Sequence, residues 1–281
     1  MLDERHLQHL ISEEQLQHFD QQGYLIVENA LPQSLVSELE GCVDRIHQEQ
    51  LDEKEVTTEP KNFFYRDFLG RDLRLTNLLD WYRTFPKIWG ILGWNIYSYH
   101  SHLIVTPPGS PAELDEYGHL RWHQDVGRVK VDIKSQPPPR LMLKVVYWLS
   151  DCSEPNRGNL YIIPGSHLID TLDKSNDGSL PEGATAICCK PGDAAFFDGR
   201  LWHARSSNES EITRKGLFYG YGYRWLRPMD NMTIPPKIFN NSSPIRQQLM
   251  GGGMSAGGHF GPKDGDVPLK VWLEEHGIIM E

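Results

Sequence analysis

At 281 residues the chain is long enough for one large domain with a sizeable core. Its 39% hydrophobic and 23% charged residues place it with globular proteins, not with disordered or fibrous chains. A formal net charge of −10 argues against nucleic acid or an anionic membrane surface as a partner. No window approaches the roughly 20 consecutive apolar residues of a membrane span, and the charged start MLDERHLQHL lacks the apolar run of a signal peptide. The expectation is therefore a cytoplasmic protein. The four cysteines, Cys42, Cys152, Cys188 and Cys189, show no CxxC zinc spacing, and the adjacent pair is badly placed for an ordinary disulfide, so reduced thiols are expected.

The first zone, to about Leu92, reads as mainly helical. Ser12-Glu13-Glu14-Gln15 is a capping-box start, with Leu16 and Phe19 spaced for one face. Gly23 to Val27 reads as a short buried strand. Pro32 then opens a second helix in which Leu35, Leu39, Cys42 and Ile46 keep helical spacing as far as His47. Gln48 to Asn62 is polar and charged and reads as a loop. The middle zone, from about Asn95 to Trp225, is written in strands: Ile96–Val105, Leu141–Leu149, Asn159–Ile163, Thr185–Cys189, Ala194–Phe197 and Leu217–Trp225. Pro/Gly/Asn/Asp turns such as Lys190-Pro191-Gly192-Asp193 separate them. Short strands without intervening helices predict an antiparallel sandwich or jelly roll. After Arg227 no period is clear. Gly251 to Gly258 is glycine-rich but lacks the Lys-Ser/Thr of a phosphate loop, and a lid or surface loop is expected there.

Within the strand-rich zone, Trp122-His123-Gln124-Asp125 puts an imidazole and a carboxylate two residues apart. On a strand both project to one face, while Trp122 and Gln124 project to the other. Alone, such a pair is more often a surface contact. A further histidine, His203, follows the apolar strand ending at Phe197. Two neutral imidazoles with one carboxylate form a facial triad that leaves three octahedral positions open and suits non-haem Fe(II). Arg214, eleven residues on, stands before the last long strand, where a buried guanidinium could clamp a carboxylate through two parallel hydrogen bonds.

This constellation resembles the phytanoyl-CoA dioxygenase family of Fe(II)- and 2-oxoglutarate-dependent oxygenases. The resemblance rests on Gln22-Gly23-Tyr24-Leu25-Ile26-Val27, Thr106-Pro107-Pro108-Gly109, Trp122-His123-Gln124-Asp125, the Arg157-to-His167 hairpin with Ile163-Pro164-Gly165-Ser166-His167, and His203 with Arg214. It implies a mainly β fold with flanking helices around a double-stranded β-helix (jelly-roll, cupin-like) core. One oxygenase domain would span 1–281, with helical support over 1–94, the core over 95–225 and a lid or loop region over 226–281. It implies that His123, Asp125 and His203 hold iron and that Arg214 pairs with the distal carboxylate of 2-oxoglutarate. Gln124 and Tyr147 would lie near that co-substrate, and O2 would be the oxidant. The implied reaction hydroxylates a C–H bond of a small molecule, a polar compound or a natural-product intermediate, with succinate and CO2 as co-products. Asp125 stands where related halogenases have a small residue, which favours hydroxylation. Two departures stand out: Arg205 occupies a position often held by serine, and Thr106 one where some members carry lysine.

The competing readings are a non-catalytic or differently metallated cupin-like small-molecule-binding protein and a cupin-like hydrolase or isomerase. Neither has a use for Arg214 as a carboxylate clamp. His167 is expected to brace its hairpin, and His100 and His102, which share a strand face, to be structural. If the last strand stays regular, Gly216, Phe218, Gly220, Gly222 and Arg224 share one face and Tyr219, Tyr221 and Tyr223 the other; the competing reading is a bulge at Gly220 and Gly222 with Arg224 on a surface carboxylate. The loops Gln48–Arg71, Gly109–His119 and Leu226–Pro262 are expected to shape the substrate pocket. Oligomeric state is not legible.

Overall fold

In the computed structural model of the chain, residues 2–54, 62–169, 171–173, 179–253, 255, 258–259 and 261–278 are described. Among the described residues nine strands fold into two antiparallel sheets: β1 (Tyr24–Val27), β2 (Phe63–Arg66), β3 (Ile96–Thr106), β4 (Met142–Trp148), β5 (Leu160–Ile162), β6 (Thr185–Ala186), β7 (Ala194–Asp198), β8 (His203–Arg205) and β9 (Arg214–Tyr223). The large sheet runs β1-β7-β4-β9-β3-β2 and the small one β6-β5-β8. Together they make the double-stranded β-helix, with helices on the outer face of the large sheet. These helices are α1 (Glu13–Gln22), α2 (Gln33–Lys54), α3 (Leu73–Asn77), α4 (Phe85–Leu92), α6 (Pro236–Asn240), α7 (Pro244–Leu249) and α8 (Pro268–Glu275), while α5 (Gly127–Asp132) lies between β3 and β4 in the chain. None of the described helices is long and apolar enough to cross a membrane.

Strand alternation gives the large sheet two different apolar faces. Its outer face, with Leu143, Val145, Tyr147, Phe196, Leu217, Tyr219 and Tyr221, packs against helical residues such as Phe19, Leu39, Phe85 and Trp272 in one continuous core. Its inner face, with Val146, Trp148, Ala195, Phe197 and Phe218, meets Leu160 and Ile162 of the small sheet. Alternation along β9 follows expectation. Tyr219 and Tyr221 point outward and donate to Leu75 O and Leu79 O of the helical layer, each at 2.8 Å.

Several local readings hold. Ser12 and Gln15 form the capping box of α1. Gly23 ends that helix at φ 78°, and a Cβ there would stand 2.6 Å from His167 Nδ1, so glycine is required on two counts. His167 braces its hairpin as expected, its Nε2 lying 3.0 Å from Asp20 O. All four cysteines are free thiols.

Three readings need correction. α2 continues through the polar segment after His47 to Lys54, because Gln, Glu, Asp and Lys are compatible with a solvated helix; residues 55–61 of the expected loop lie outside those described. β2 pairs with β3 inside a stretch read as a pocket loop. Beyond residue 226, where the sequence shows no clear period, α6, α7 and α8 form; Ile245 and Leu249 of α7 and Trp272 of α8 are buried in the main core.

A buried ion cluster at the end of β7 shapes the loop that follows. Asp198, with a fully buried side chain, accepts from Arg200 Nε at 2.8 Å and Nη2 at 2.7 Å and from Arg140 Nε at 2.8 Å. Burial alone would raise this carboxyl, but Arg200 and then Arg140 outweigh it and hold it below the usual range. Its contribution to stability is therefore present above the ordinary carboxylate pKa of about 3.9 and lost as pH falls through the lowered folded value. Asp198→Ala leaves two guanidinium groups without their buried partner and is expected to cost about 3–5 kcal/mol in urea unfolding at pH 7; a loss under about 1 kcal/mol would contradict this role.

Candidate metal and co-substrate site

The segment carrying His123 and Asp125 is not a regular strand but an isolated bridge. His123 N donates to His203 O and His203 N to His123 O, each at 3.0 Å. Two residues on, Asp125 N donates to Gly199 O at 2.7 Å, tying the carboxylate to the loop after Asp198. The side chains of His123 and Asp125 still converge on that of His203, and α5 begins two residues after Asp125. β8 carries His203 on the small sheet, paired with Ile162, and Ser166 Oγ accepts from Trp202 N at 2.9 Å beside it.

The result is a cluster in which one ligand atom from each of His123, Asp125 and His203 lies within 4.8 Å of the others. Each imidazole has its Nδ1 against a main-chain carbonyl, His123 at 3.0 Å from Arg121 O and His203 at 2.8 Å from Leu201 O. An Nδ1–H donated to those carbonyls leaves both Nε2 lone pairs for a metal, the outer-shell arrangement that orients ligating histidines. Burial pushes His203 down to about 4 against the opposing pull of Asp125, with His123 and Lys144 adding to the lowering, so the ring is neutral at pH 7. Burial alone would raise Asp125, but Lys144, then His203, outweighs it and keeps the carboxylate ionised. Two neutral imidazoles and a carboxylate in this geometry fit a divalent cation with open positions.

Lys144 was not singled out in the sequence. From the inner face of β4 it brings Nζ to 2.7 Å from Asp125 Oδ2. A lone lysine in the apolar run Leu141-Met142-Leu143-Lys144-Val145-Val146-Tyr147-Trp148 was the available signal, since a buried lysine needs a charged partner.

Arg214 is buried at the start of β9, its guanidinium carbon 4.7 Å from the Trp148 ring centroid and 5.5 Å from that of Phe218. Among the described residues its Nε and Nη1 have no hydrogen-bond partner, nor do Trp148 Nε1 and Thr106 Oγ1, all of them buried. Thr106 is Arg214's register partner across β3 and β9. Burial lowers the guanidinium to about 10, so it is charged at pH 7. A buried cation with orphaned N–H groups, beside an indole N–H and a hydroxyl, is a cradle for a carboxylate. Trp148 and Thr106 join the sequence-derived set, and the threonine stands at the position where some family members carry lysine.

Two sequence-derived residues are placed elsewhere. Tyr147 lies on the outer face of β4, its hydroxyl 2.5 Å from Thr84 Oγ1 and its ring edge-on to Tyr219, so it turns away from Arg214; Trp148 takes the inner-face place. Gln124 turns its amide to Arg200 O and receives Lys130 Nζ at 3.2 Å, bracing the ligand loop. Arg224, considered as a pocket cation, donates to the carbonyls of Gly252 and Gly253 and anchors the glycine-rich segment, in which Met254, Ala256 and Gly257 lie outside the described residues.

A family model described as phytanoyl-CoA dioxygenase (PhyH) matches residues 19–216. Dioxygenase cdmA of Talaromyces verruculosus is 29% identical over 168 residues, which is 59% of this chain and 51% of that protein, so the chain spans about half the length of this relative. Ectoine dioxygenase of Bordetella parapertussis is 25% identical over 269 residues, with 83% of this chain and 81% of that protein covered. Among solved structures, HygX from Streptomyces hygroscopicus with nickel and 2-oxoglutarate bound superposes with a TM-score of 0.60 at 18% identity, covering 78% of this chain and 90% of that one. EctD from S. alaskensis with bound Fe gives 0.58 at 21%, covering 78% and 79%. At these identities the structural likeness shows a shared fold.

Metal titration followed by calorimetry checks the triad. His203→Ala is expected to lower affinity for Fe(II) or Co(II) by about 100-fold or more, and Tyr147→Phe to leave it within about twofold. Metal affinity that survives His203→Ala would remove this residue from the ligand set.

Proposed function

The chain belongs to the phytanoyl-CoA dioxygenase family, and on that premise we propose that it is a non-haem Fe(II)- and 2-oxoglutarate-dependent dioxygenase that hydroxylates an unactivated C–H bond of a small molecule. The observation that carries this reading is Arg214, a buried cation whose Nε and Nη1 are unpartnered among the described residues, on the inner face of the same barrel that presents the His123–Asp125–His203 cluster. A metal-only site has no use for it. A cupin-like binding protein, hydrolase or isomerase would leave those N–H groups unmet at about 1–3 kcal/mol each.

In this reading His123, Asp125 and His203 hold iron through three ligands and leave the remaining positions for 2-oxoglutarate and O2. Bound iron and 2-oxoglutarate supply the oxidising power, with succinate and CO2 as co-products. Arg214, helped by Trp148 Nε1–H and the Thr106 hydroxyl, grips the distal carboxylate and so fixes which end of the 2-oxo acid faces the metal. Lys144 pairs with Asp125 Oδ2, which also lies 3.6 Å from His203 Nε2, and so holds the carboxylate in the triad. Val146, Phe197 and Phe218 keep the space between clamp and triad dry. One relative carries ectoine, a small molecule, in its name, and a small-molecule substrate is proposed here as well.

Titration of zinc-loaded protein with 2-oxoglutarate tests the clamp. Arg214→Ala should weaken 2-oxoglutarate by at least about 30-fold while metal affinity stays within about twofold, the pattern of a buried charge pair losing one partner. Equal 2-oxoglutarate affinity in the two proteins would sink the assignment.

A further inference from the structure

Among the polar groups on the inner face of the barrel, one set has no part in holding metal or 2-oxoglutarate. It begins with an irregularity in β3. The register of β3 on β9 shifts between Ser98 and His100, and Tyr99 O turns out of the ladder to accept from Met229 N at 2.8 Å. That contact pins the segment after β9 against the strand and drives Asp230 into the gap. Asp230 Oδ2 accepts from Ser101 N at 2.6 Å and Ser101 Oγ at 2.8 Å, while Oδ1 lies 2.8 Å from His100 Nδ1. His100 Nε2 in turn lies 2.9 Å from His102 Nδ1. The side chains of Asp230 and His100 are almost wholly buried, at 1% and 4% exposure.

Hydrogen-bond bookkeeping sets the direction of this chain. An ionised carboxylate only accepts, so His100 Nδ1 carries the proton. In a neutral His100, Nε2 is then an acceptor, and His102 Nδ1 must donate to it. His102 Nε2 is left with its lone pair. Burial, then Lys144, keeps His102 well below the usual histidine range. His102 Nε2 has no protein partner among the described residues. Both faces of the ring are covered, by Phe218 at 4.4 Å and 14° and by Phe64 at 4.8 Å and 23°, so only the ring edge can meet a ligand. Phe64, on the edge strand β2, is 47% exposed and opens this stack to solvent. 2-Oxoglutarate carries acceptors only at neutral pH and cannot satisfy a lone pair.

Resting on the oxygenase reading above, we propose that His102 Nε2 is a specificity-determining hydrogen-bond acceptor, fixed in that polarity by Asp230 through His100. With the Phe64 ring beside it, it selects substrates that present a hydroxyl or N–H donor next to a flat apolar surface. A carboxylate at that point of the substrate is rejected.

Ligand-observed NMR on zinc-loaded protein saturated with 2-oxoglutarate, which holds the co-substrate without turnover, tests this with shape-matched pairs: indole against N-methylindole, and phenol against anisole. The donor-bearing member of each pair is expected to bind about tenfold more tightly. His102→Phe keeps the stack and should erase the preference while leaving the methylated compounds unchanged. In Asp230→Asn the side-chain oxygen stays with Ser101 N and the amide NH2 turns to His100 Nδ1. Both tautomers then reverse, His102 Nε2 becomes a donor, and the preference should invert. Histidine 15N shifts report that reversal directly and do not depend on any ligand. Lack of preference in the unmodified protein, failure of all four compounds to bind, or a preference that persists in His102→Phe would each overturn the proposal. Binding of 2-oxoglutarate itself is measured first in the same sample. Its failure defeats the oxygenase reading and this inference with it, whereas its success with no discrimination defeats this inference alone.

Discussion

Two main-chain hydrogen bonds between His123 and His203 hold the site together. Each residue is both donor and acceptor, so the pairing fixes the relative position of two segments 80 residues apart without recruiting either side chain. The imidazoles are thereby left free to converge, their ring centres 4.2 Å apart. Everything nearby protects that pairing. Asp125 N is held on Gly199 O, and Asp198, beside Gly199, is locked between two arginines; Ser166 in the neighbouring hairpin receives Trp202 N. Short, directional backbone contacts from the segment carrying His123 and Asp125 to β8 and to the turn after β7 do the positioning, and the charged side chains stiffen the loops that carry them.

The two faces of the large sheet divide the labour. The outer face buries tyrosines and aliphatic residues under the helices and ends its tyrosine hydroxyls on helical carbonyls, so it serves stability. The inner face carries Lys144, His100, His102 and Arg214, groups that are costly to bury; Lys144 pairs with Asp125, His100 with Asp230 and His102 with His100. Unmatched donors gather around Arg214 in particular. Concentrating polar cost on one face while the other supplies apolar burial lets the same strands act as both core and site.

Much of this was legible in the residues. The His-x-Asp spacing, the distant histidine after an apolar strand and the arginine opening the next strand bring together the side chains that the fold assembles. What failed was the choice of face. In β4 every residue but Lys144 is apolar, as a strand buried on both sides requires, so no alternation distinguishes Tyr147 from Trp148. The lysine held the answer, since it shares the inner face with Trp148 and excludes Tyr147. The C-terminal helices were missed because each is short and lacks a long apolar period, although Pro236, Pro244 and Pro268 each stand at a helix start, where proline is favoured. The Asp230–His100–His102 chain could not be read at all: it depends on a register shift at Tyr99 that no local pattern announces.

The central claim is that one cavity holds a metal on the triad and a 2-oxo acid between that metal and Arg214. The most direct test is an anaerobic titration of the apo-protein with Fe(II) and then 2-oxoglutarate, followed in the visible. The account predicts a weak charge-transfer band that forms only when both are present and is absent in His203→Ala. Iron bound at the triad with no such band at saturating 2-oxoglutarate would contradict it and leave a metal site of another chemistry.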